Sequence, residues 1–278
     1  MSLPLLTQEA DSHFVRLTYA NDYFTATDYY FTQGIRLEYG RRHRRFFVAQ
    51  EGYTPTSIRA DQILVGDRPY AGALFIGYGM ADRAAGRGCN ACDEAQYSWE
   101  ISLGVIGPAS LAAAEQKWIH RQTGNVEPRG WKYQIENDLL LNAKLQLAQP
   151  LVTARHFSVR GVAATEVGTY RIHTEFSLPT EVGWLPTAAR KGGTWLYFRP
   201  AFRLVGYDAT LQGGIFNGGR SPYTLVGSQL SRMVGTVTGG VHFGVAGISV
   251  DFSHTYLSKE FQSGRSHAWG TVVLGYSW

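Results

Sequence analysis

The chain ends in Thr271-Val272-Val273-Leu274-Gly275-Tyr276-Ser277-Trp278, a stretch that alternates apolar residues with small or polar ones and stops at an aromatic residue. On a strand, this alternation places Val272, Leu274, Tyr276 and Trp278 on one side. Bacterial outer-membrane barrels close with such a one-sided strand, whose aromatic end lies at the membrane interface. The last strand of a soluble sandwich would also alternate, so the rest of the sequence must decide between the two.

The same period of two recurs upstream. It is nearly perfect in residues 97–105 and returns in residues 14–19, 35–39, 139–147, 196–204 and 248–256. The polar faces of these runs carry charges of both signs: Arg16, Arg36, Glu38, Glu100, Lys144, Arg199, Arg203 and Asp251. In a membrane barrel the polar face lies inside and the apolar face meets lipid. Aromatic residues near the strand ends favour this arrangement over a soluble barrel.

Composition supports one barrel domain over residues 1–278. Glycine is abundant (32 residues), only 17% of residues are charged, and no apolar run reaches the roughly 18 residues of a membrane helix. The alternating runs predict an all-β fold, an antiparallel transmembrane barrel of about twelve strands. The net charge of +4 is too small and too scattered for a nucleic-acid partner. We expect a monomer surrounded by outer-membrane lipids.

Turn signals predict which connections between strands are short and which are long. Tight turns are expected near residues 40–43, 153–156 and 245–247, and outer loops near residues 25–28, 54–70, 107–130 and 212–221. The first nine residues have neither the basic segment nor the long apolar segment of a secretory signal. We expect that an export signal has been removed and that the protein lies in the bacterial outer membrane.

The two cysteines lie three positions apart, at Cys89 and Cys92. A redox enzyme would place this pair at the start of a helix after a strand, and a zinc site would need further ligands. We therefore favour a small disulfide in a periplasmic turn, with a redox or metal role as the alternative.

One segment breaks the strand pattern. Residues 107–124 are rich in alanine, begin with Pro108 near the first turn and end at Gly124, which predicts a helix in an outer loop. Gln116 and His120 lie on one face of it, so the amide could orient the imidazole and His120 could act as a general base. The alternative is an ordinary exposed histidine on a helix.

Polar residues also gather at one end of the first hairpin. Asn21 and Asp22 follow the first strand and Thr32 opens the second, and alternation predicts that Asp22 and Thr32 point inward. Converging oxygens of this kind suit calcium, although Asn-Asp is also ordinary turn chemistry. Arg68 lies near the same rim, where it could meet a phosphate or a developing oxyanion, or pair with Asp67 to order the loop.

Taken in order, these motifs resemble the LpxR family of outer-membrane lipid A 3′-O-deacylases, and the resemblance spans nearly the whole chain. They are Asn21-Asp22, residues 27–34, Gly66-Asp67-Arg68-Pro69-Tyr70-Ala71-Gly72, Gly104-Val105-Ile106-Gly107-Pro108, Gln116 to His120, and Gly130-Trp131-Lys132-Tyr133-Gln134.

The resemblance implies a twelve-stranded barrel and a calcium-dependent hydrolase that removes the 3′-linked acyloxyacyl chain of lipid A, the lipid anchor of lipopolysaccharide. It implies a site between the barrel wall and the outer helix. His120 would be the base with Gln116 beside it. Asn21, Asp22 and Thr32 would surround the metal and the ester, and Arg68 would supply positive charge. The family also has an acidic residue after the histidine, and Glu127, one position from that place, is a further candidate ligand of the metal.

Two other functions fit the same barrel. An outer-membrane phospholipase would need a serine nucleophile, and Ser110, ten residues before His120, is more than two helical turns away from it. A small channel or structural barrel would have no use for the helix.

Overall fold

A computed structural model describes residues 13–22, 29–83, 95–186, 192–217 and 219–278. Within them lie thirteen strand segments and two α-helices. The helices are α1 (Ala112–Thr123) and the one-turn α2 (Ala209–Gln212). The strands are β1 (His13–Asn21), β2 (Tyr30–Arg41), β3 (Arg44–Thr54), β4 (Ala71–Arg83), β5 (Gln96–Ile106), β6 (Asp138–Ala154), β7 (Phe157–Gly168), β8 (Arg171–Ser177), β9 (Thr180–Trp184), β10 (Gly193–Asp208), β11 (Met233–Val245), β12 (Ile248–Leu257) and β13 (His267–Ser277).

The strands form one closed antiparallel barrel. The terminal strand β13 pairs with β1 from Ser277 opposite Phe14 to Gly270 opposite Asn21, which confirms the closure predicted from the C-terminal sequence. The segments β8 and β9 both pair with β7 and β10, so they occupy a single position and the barrel has twelve strands. The break falls at Pro179, which has no N–H group to donate to the sheet.

The barrel is apolar outside and charged inside, as the alternation predicted. Leu37 and Ile76 are 50% and 60% exposed on the outer face, whereas Arg36 and Glu38 are buried on the inner face. Inside, Glu38 accepts from Arg16 at 3.1 Å and from Arg36 at 2.8 Å. Buried charges are tolerated when they are paired and hydrogen-bonded. The interior can therefore hold the charged residues of each strand, which leaves the apolar residues on the outer face toward lipid.

The two ends of the barrel differ. Three predicted tight turns are confirmed, because β2, β6 and β11 end at residues 41, 154 and 245 and their partners begin three residues later. This turn end also holds Trp278, whose ring stacks on that of His13 at 5.6 Å. The long connections lie at the opposite loop end. Residues 25–28 and the Cys89–Cys92 turn fall outside the described residues.

The predicted helix is present, and its first turn is a separate element. Pro108–Ser110 form a 3₁₀ turn, Leu111 has a left-handed φ of 63°, and α1 then runs to Thr123 and ends at Gly124, whose φ is 69°. A glycine at this position ends a helix without strain because it lacks a Cβ atom. In the part of the chain that is described, no helix is long and apolar enough to cross a membrane.

Candidate functional site

Helix α1 lies against the outside of the barrel wall, at the loop end. Under it runs one row of directly paired residues on neighbouring strands: Asn21, Gln33, Gly52 and Gly72. Alternation places this row on the outer face, since Gln33 precedes the outward Ile35 and Leu37 by two and four positions. Gln33 is nevertheless only 2% exposed, because the helix covers it.

Gly72 in this row lets the helix approach the wall. A Cβ atom on Gly72 would lie 2.6 Å from the Cβ of Ala112 and closer still to the hydroxyl of Ser110. In addition, the amide of Gln50 on β3 donates to the carbonyl oxygen of Ser110 at 2.7 Å. The segment before α1 is therefore both packed on the wall and hydrogen-bonded to it.

The helix is joined to β2 by a polar contact. The Nε2 of Gln33 donates to a carboxylate oxygen of Glu115 at 2.7 Å. Burial raises the pKa of Glu115, and the bond from Gln33 opposes that effect in part. A half-buried carboxyl group thus faces the first hairpin, beside Asn21, which pairs with Gln33.

His120 lies half-buried in the last turn of α1, and its tautomer is fixed by the backbone. Its Nδ1 lies 2.6 Å from the carbonyl oxygen of Val126. A carbonyl oxygen can only accept, so in the neutral imidazole Nδ1 carries the proton and Nε2 has the free lone pair. This is the form of histidine that a general base requires.

Gln116 does not orient His120, contrary to the role suggested by their spacing. Its Oε1 accepts from the indole Nε1 of Trp131 at 2.6 Å, and the residue is 2% exposed. Trp131 in turn packs on Tyr70, with ring centroids 5.0 Å apart. Gln116 therefore ties α1 to the chain that follows it, and the Val126 carbonyl takes the orienting role.

Asn21, Asp22 and Thr32 lie at the adjoining ends of β1 and β2, as predicted. Asn21 donates to the hydroxyl of Tyr19 at 3.1 Å, and Asp22 is buried. Thr32 shares a 2.6 Å hydrogen bond with the hydroxyl of Thr54. It occupies a β-bulge between Phe31 and Gln33, so simple alternation does not fix the direction of its side chain.

Arg68 lies before β4 at the loop end, as predicted, but its guanidinium is already engaged by other residues. It is 1% exposed, and its guanidinium pairs with Glu260, donates to the hydroxyl of Thr210 at 2.6 Å and stacks over Tyr53 at 4.3 Å. These contacts join residues that are distant in the sequence, so Arg68 orders the loops above the barrel interior. Its partner is Glu260, and Asp67 instead accepts from the backbone N–H of Arg68.

The predicted calcium ligands separate into two groups. Asn21 and Asp22 are neighbours with Thr32 on the adjoining strand, whereas Glu127 is exposed on the loop after α1. Among the described residues, no three acidic, histidine or cysteine side chains cluster as a metal site. Asn21, Asp22 and Glu115 nevertheless carry amide and carboxylate oxygens, the donors that a hard cation such as calcium prefers.

Three contributors were missed by sequence reasoning: Glu115, Gln33 and the Val126 carbonyl. Glu115 was detectable as the one acidic residue of an alanine-rich helix, five positions before His120. No local signal marks the Val126 carbonyl, because any residue supplies one.

In a comparison with known proteins, the whole chain, residues 1–278, matches the protein-family model described as outer membrane protein LpxR. The solved structure of LpxR from Salmonella typhimurium is similar, with 17% sequence identity, a TM-score of 0.79, and coverage of 95% of this chain and 99% of that one. The beta domain of the Bordetella autotransporter Brka has 10% identity and a TM-score of 0.49, covering 96% and 99%. A search among curated proteins returned no match.

Proposed function

This chain belongs to the LpxR family of outer-membrane proteins, and we propose that it is a calcium-dependent hydrolase that removes the 3′-linked acyloxyacyl chain of lipid A. One observation carries the proposal. His120, with Nε2 available as a base, lies on a helix packed against the outer face of the wall at the loop end. In an outer-membrane barrel the long loops are extracellular, so this site adjoins the outer leaflet, where lipid A resides.

The chemistry follows from the tautomer of His120. Its Nε2 takes a proton from water as the water oxygen attacks the ester carbonyl. The bond from the carbonyl carbon to the sugar oxygen then breaks, and His120 returns the proton to that oxygen. The products are a free fatty acid and a 3′-hydroxyl group. The Val126 carbonyl keeps Nδ1 protonated throughout and steadies the imidazolium that forms.

Asn21 and Asp22 are the residues that would hold calcium, with Thr32 beside them. When bound, calcium would supply positive charge to stabilise the oxyanion of the ester. The buried amide of Gln33 and the half-buried carboxyl group of Glu115 hold the helix beside this rim, so they position His120 relative to Asn21 and Asp22.

The alternatives receive less support. The hydroxyl of Ser110 donates to the carbonyl oxygen of Gly107 at 2.7 Å and is fully buried, so it does not suit a phospholipase nucleophile. Against a channel, hydrogen-bonded side chains cross the barrel interior near the loop end. There Arg171 and Tyr170 reach across to Tyr53 and Glu51 at 2.6 Å and 2.5 Å.

The proposal is tested by incubating the purified protein with vesicles that contain lipid A and, separately, with phospholipid vesicles, and analysing both by mass spectrometry. We expect loss of the 3′ acyloxyacyl chain from lipid A and intact phospholipid. Cleavage of phospholipid with intact lipid A would contradict the proposal.

A further inference from the structure

One face of α1 points away from the barrel and is covered by no described residue. Within α1, Ala114, Trp118 and Arg121 are spaced by four and three positions, which places them on one side of the helix, and Leu111 lies in the turn just before it. Leu111 and Trp118 are 61% and 58% exposed. The opposite side, with Ala112 and Gln116, is buried against the wall and the loop after the helix. We call Leu111, Ala114, Lys117, Trp118 and Arg121 the outer face of α1.

The position of the helix decides what this face meets. Because α1 packs on the outward side of β2, β3 and β4, its far side faces away from the barrel interior. Directly below its contacts, the wall shows the apolar side chains of Ile35, Val48 and Ile76 to lipid. The outer face of α1 thus continues the lipid-facing surface at its upper edge, where tryptophan and basic residues are favoured.

Two cations adjoin the exposed apolar residues. Lys117 and Arg121 are four positions apart on α1, and Lys117 is three positions before His120. Neither forms an ion pair with any residue in the described ranges. A basic pair at the membrane edge, beside the proposed base and without an internal counter-ion, complements the phosphate groups of an anionic lipid.

We propose that the outer face of α1 is the docking surface for the substrate, with acyl chains on Leu111 and Trp118 and a sugar phosphate bound by Lys117 and Arg121. This inference rests on the proposed function, because it assigns the phosphorylated headgroup of lipid A as a determinant of specificity. The phosphate contact holds the sugar beside His120. The apolar contact retains chains that are not being cleaved.

A kinetic test separates phosphate recognition from general damage. The wild type is compared with the double variant Lys117→Gln/Arg121→Gln on lipid A and on chemically dephosphorylated lipid A. Loss of a charge-assisted contact typically costs about tenfold or more in affinity. We expect the wild type to prefer phosphorylated substrate by about tenfold in kcat/KM and the double variant to lose that preference. An unchanged preference would overturn the assignment of the two cations.

A binding test is independent of turnover. In a His120→Ala background, lipid A is titrated into detergent-solubilised protein while tryptophan emission is recorded, and Trp118→Phe is compared with Trp195→Phe, which alters a buried interior ring. We expect Trp118→Phe to abolish the lipid-dependent change and Trp195→Phe to retain it. If Trp118→Phe keeps the change, or if Trp118 is shielded by a second copy of the chain, the docking surface is wrong. If lipid A binds but the wild type, assayed separately, does not deacylate it, only the proposed function is contradicted.

Discussion

The amide of Gln33 on β2 donates a 2.7 Å hydrogen bond to the carboxylate of Glu115 on α1, and this bond crosses from the barrel wall to the helix. It explains why a polar residue on the lipid-facing side of a strand is buried. It also fixes which side of the wall carries the candidate site. The helix that holds His120 belongs to the outer surface of the barrel, beside the lipid, and not to its interior.

Replacing Glu115 by alanine is expected to loosen α1. The variant leaves the buried amide of Gln33 without its acceptor, which costs about 1–3 kcal/mol. We expect faster cleavage of residues 107–130 in limited proteolysis with an unchanged unfolding temperature of the barrel. Glu115→Gln, which keeps an acceptor oxygen, should remain close to wild type. Equal protease resistance of Glu115→Ala and wild type would show that the bond does not hold the helix.

A single methyl group at Gly72 should displace the helix. Gly72→Ala places a Cβ atom 2.6 Å from that of Ala112, too close for any real contact. A shift of the base by about 1 Å can lower the rate by about 10²-fold, so deacylation should fall strongly while the barrel still folds. Gly239→Ala is the matched control, because no atom lies within 4 Å of its Cβ position. Full activity of Gly72→Ala would contradict the packing.

The ion pair between Glu260 and Arg68, which orders the loops above the barrel interior, should weaken in acid. Burial, the largest single effect, acts to raise the pKa of this carboxyl group, but Arg68 together with His267, Arg171 and Arg203 outweighs burial and lowers the pKa below its ordinary value of 4.5. The ionised Glu260 therefore stabilises the folded loops fully above pH 4.5. This stabilisation is lost as the pH falls through the lowered pKa that Glu260 has in the folded protein. Hydrogen exchange of residues 55–70 should accelerate in that range in wild type. In Glu260→Gln the acceleration should be absent, and its persistence there would refute the assignment.

Calcium removal should stop the reaction. A chelator is expected to lower deacylation by about 10²–10³-fold, the usual effect of losing oxyanion stabilisation, and added calcium should restore it. Asp22→Asn should weaken calcium binding in isothermal titration calorimetry, whereas Asp61→Asn, at an exposed residue paired with Lys132, should not. A chelator-resistant enzyme would contradict the metal assignment.

The barrel was predictable because its signal is local. Each strand needs only a period of two, as in residues 97–105, and tight turns such as Ala246-Gly247 mark the strand ends. The break between β8 and β9 was not predicted. Pro179 removes one donor, but the sequence does not reveal that the two segments keep the same pair of neighbours.

The site was predictable only in part, because its contacts join distant positions. His120 and the first hairpin were recognised from their residue types. The partner of Arg68 was not predicted, since Glu260 lies 192 positions away. Likewise, Gln116 was assigned to the histidine four positions away although Trp131 competes for its oxygen. Spacing along a helix shows which side chains can meet, and tertiary packing decides which of them do.

The account depends most directly on His120. Lipid A incubated with wild type, His120→Ala and His156→Ala is compared by mass spectrometry; His156 is a suitable control because its Nδ1 also bonds a backbone carbonyl, at 3.0 Å, but at the turn end. We expect wild type and His156→Ala to release the 3′ acyloxyacyl chain and His120→Ala to be slower by about 10²–10⁴-fold. Equal release by His120→Ala and wild type would contradict the account.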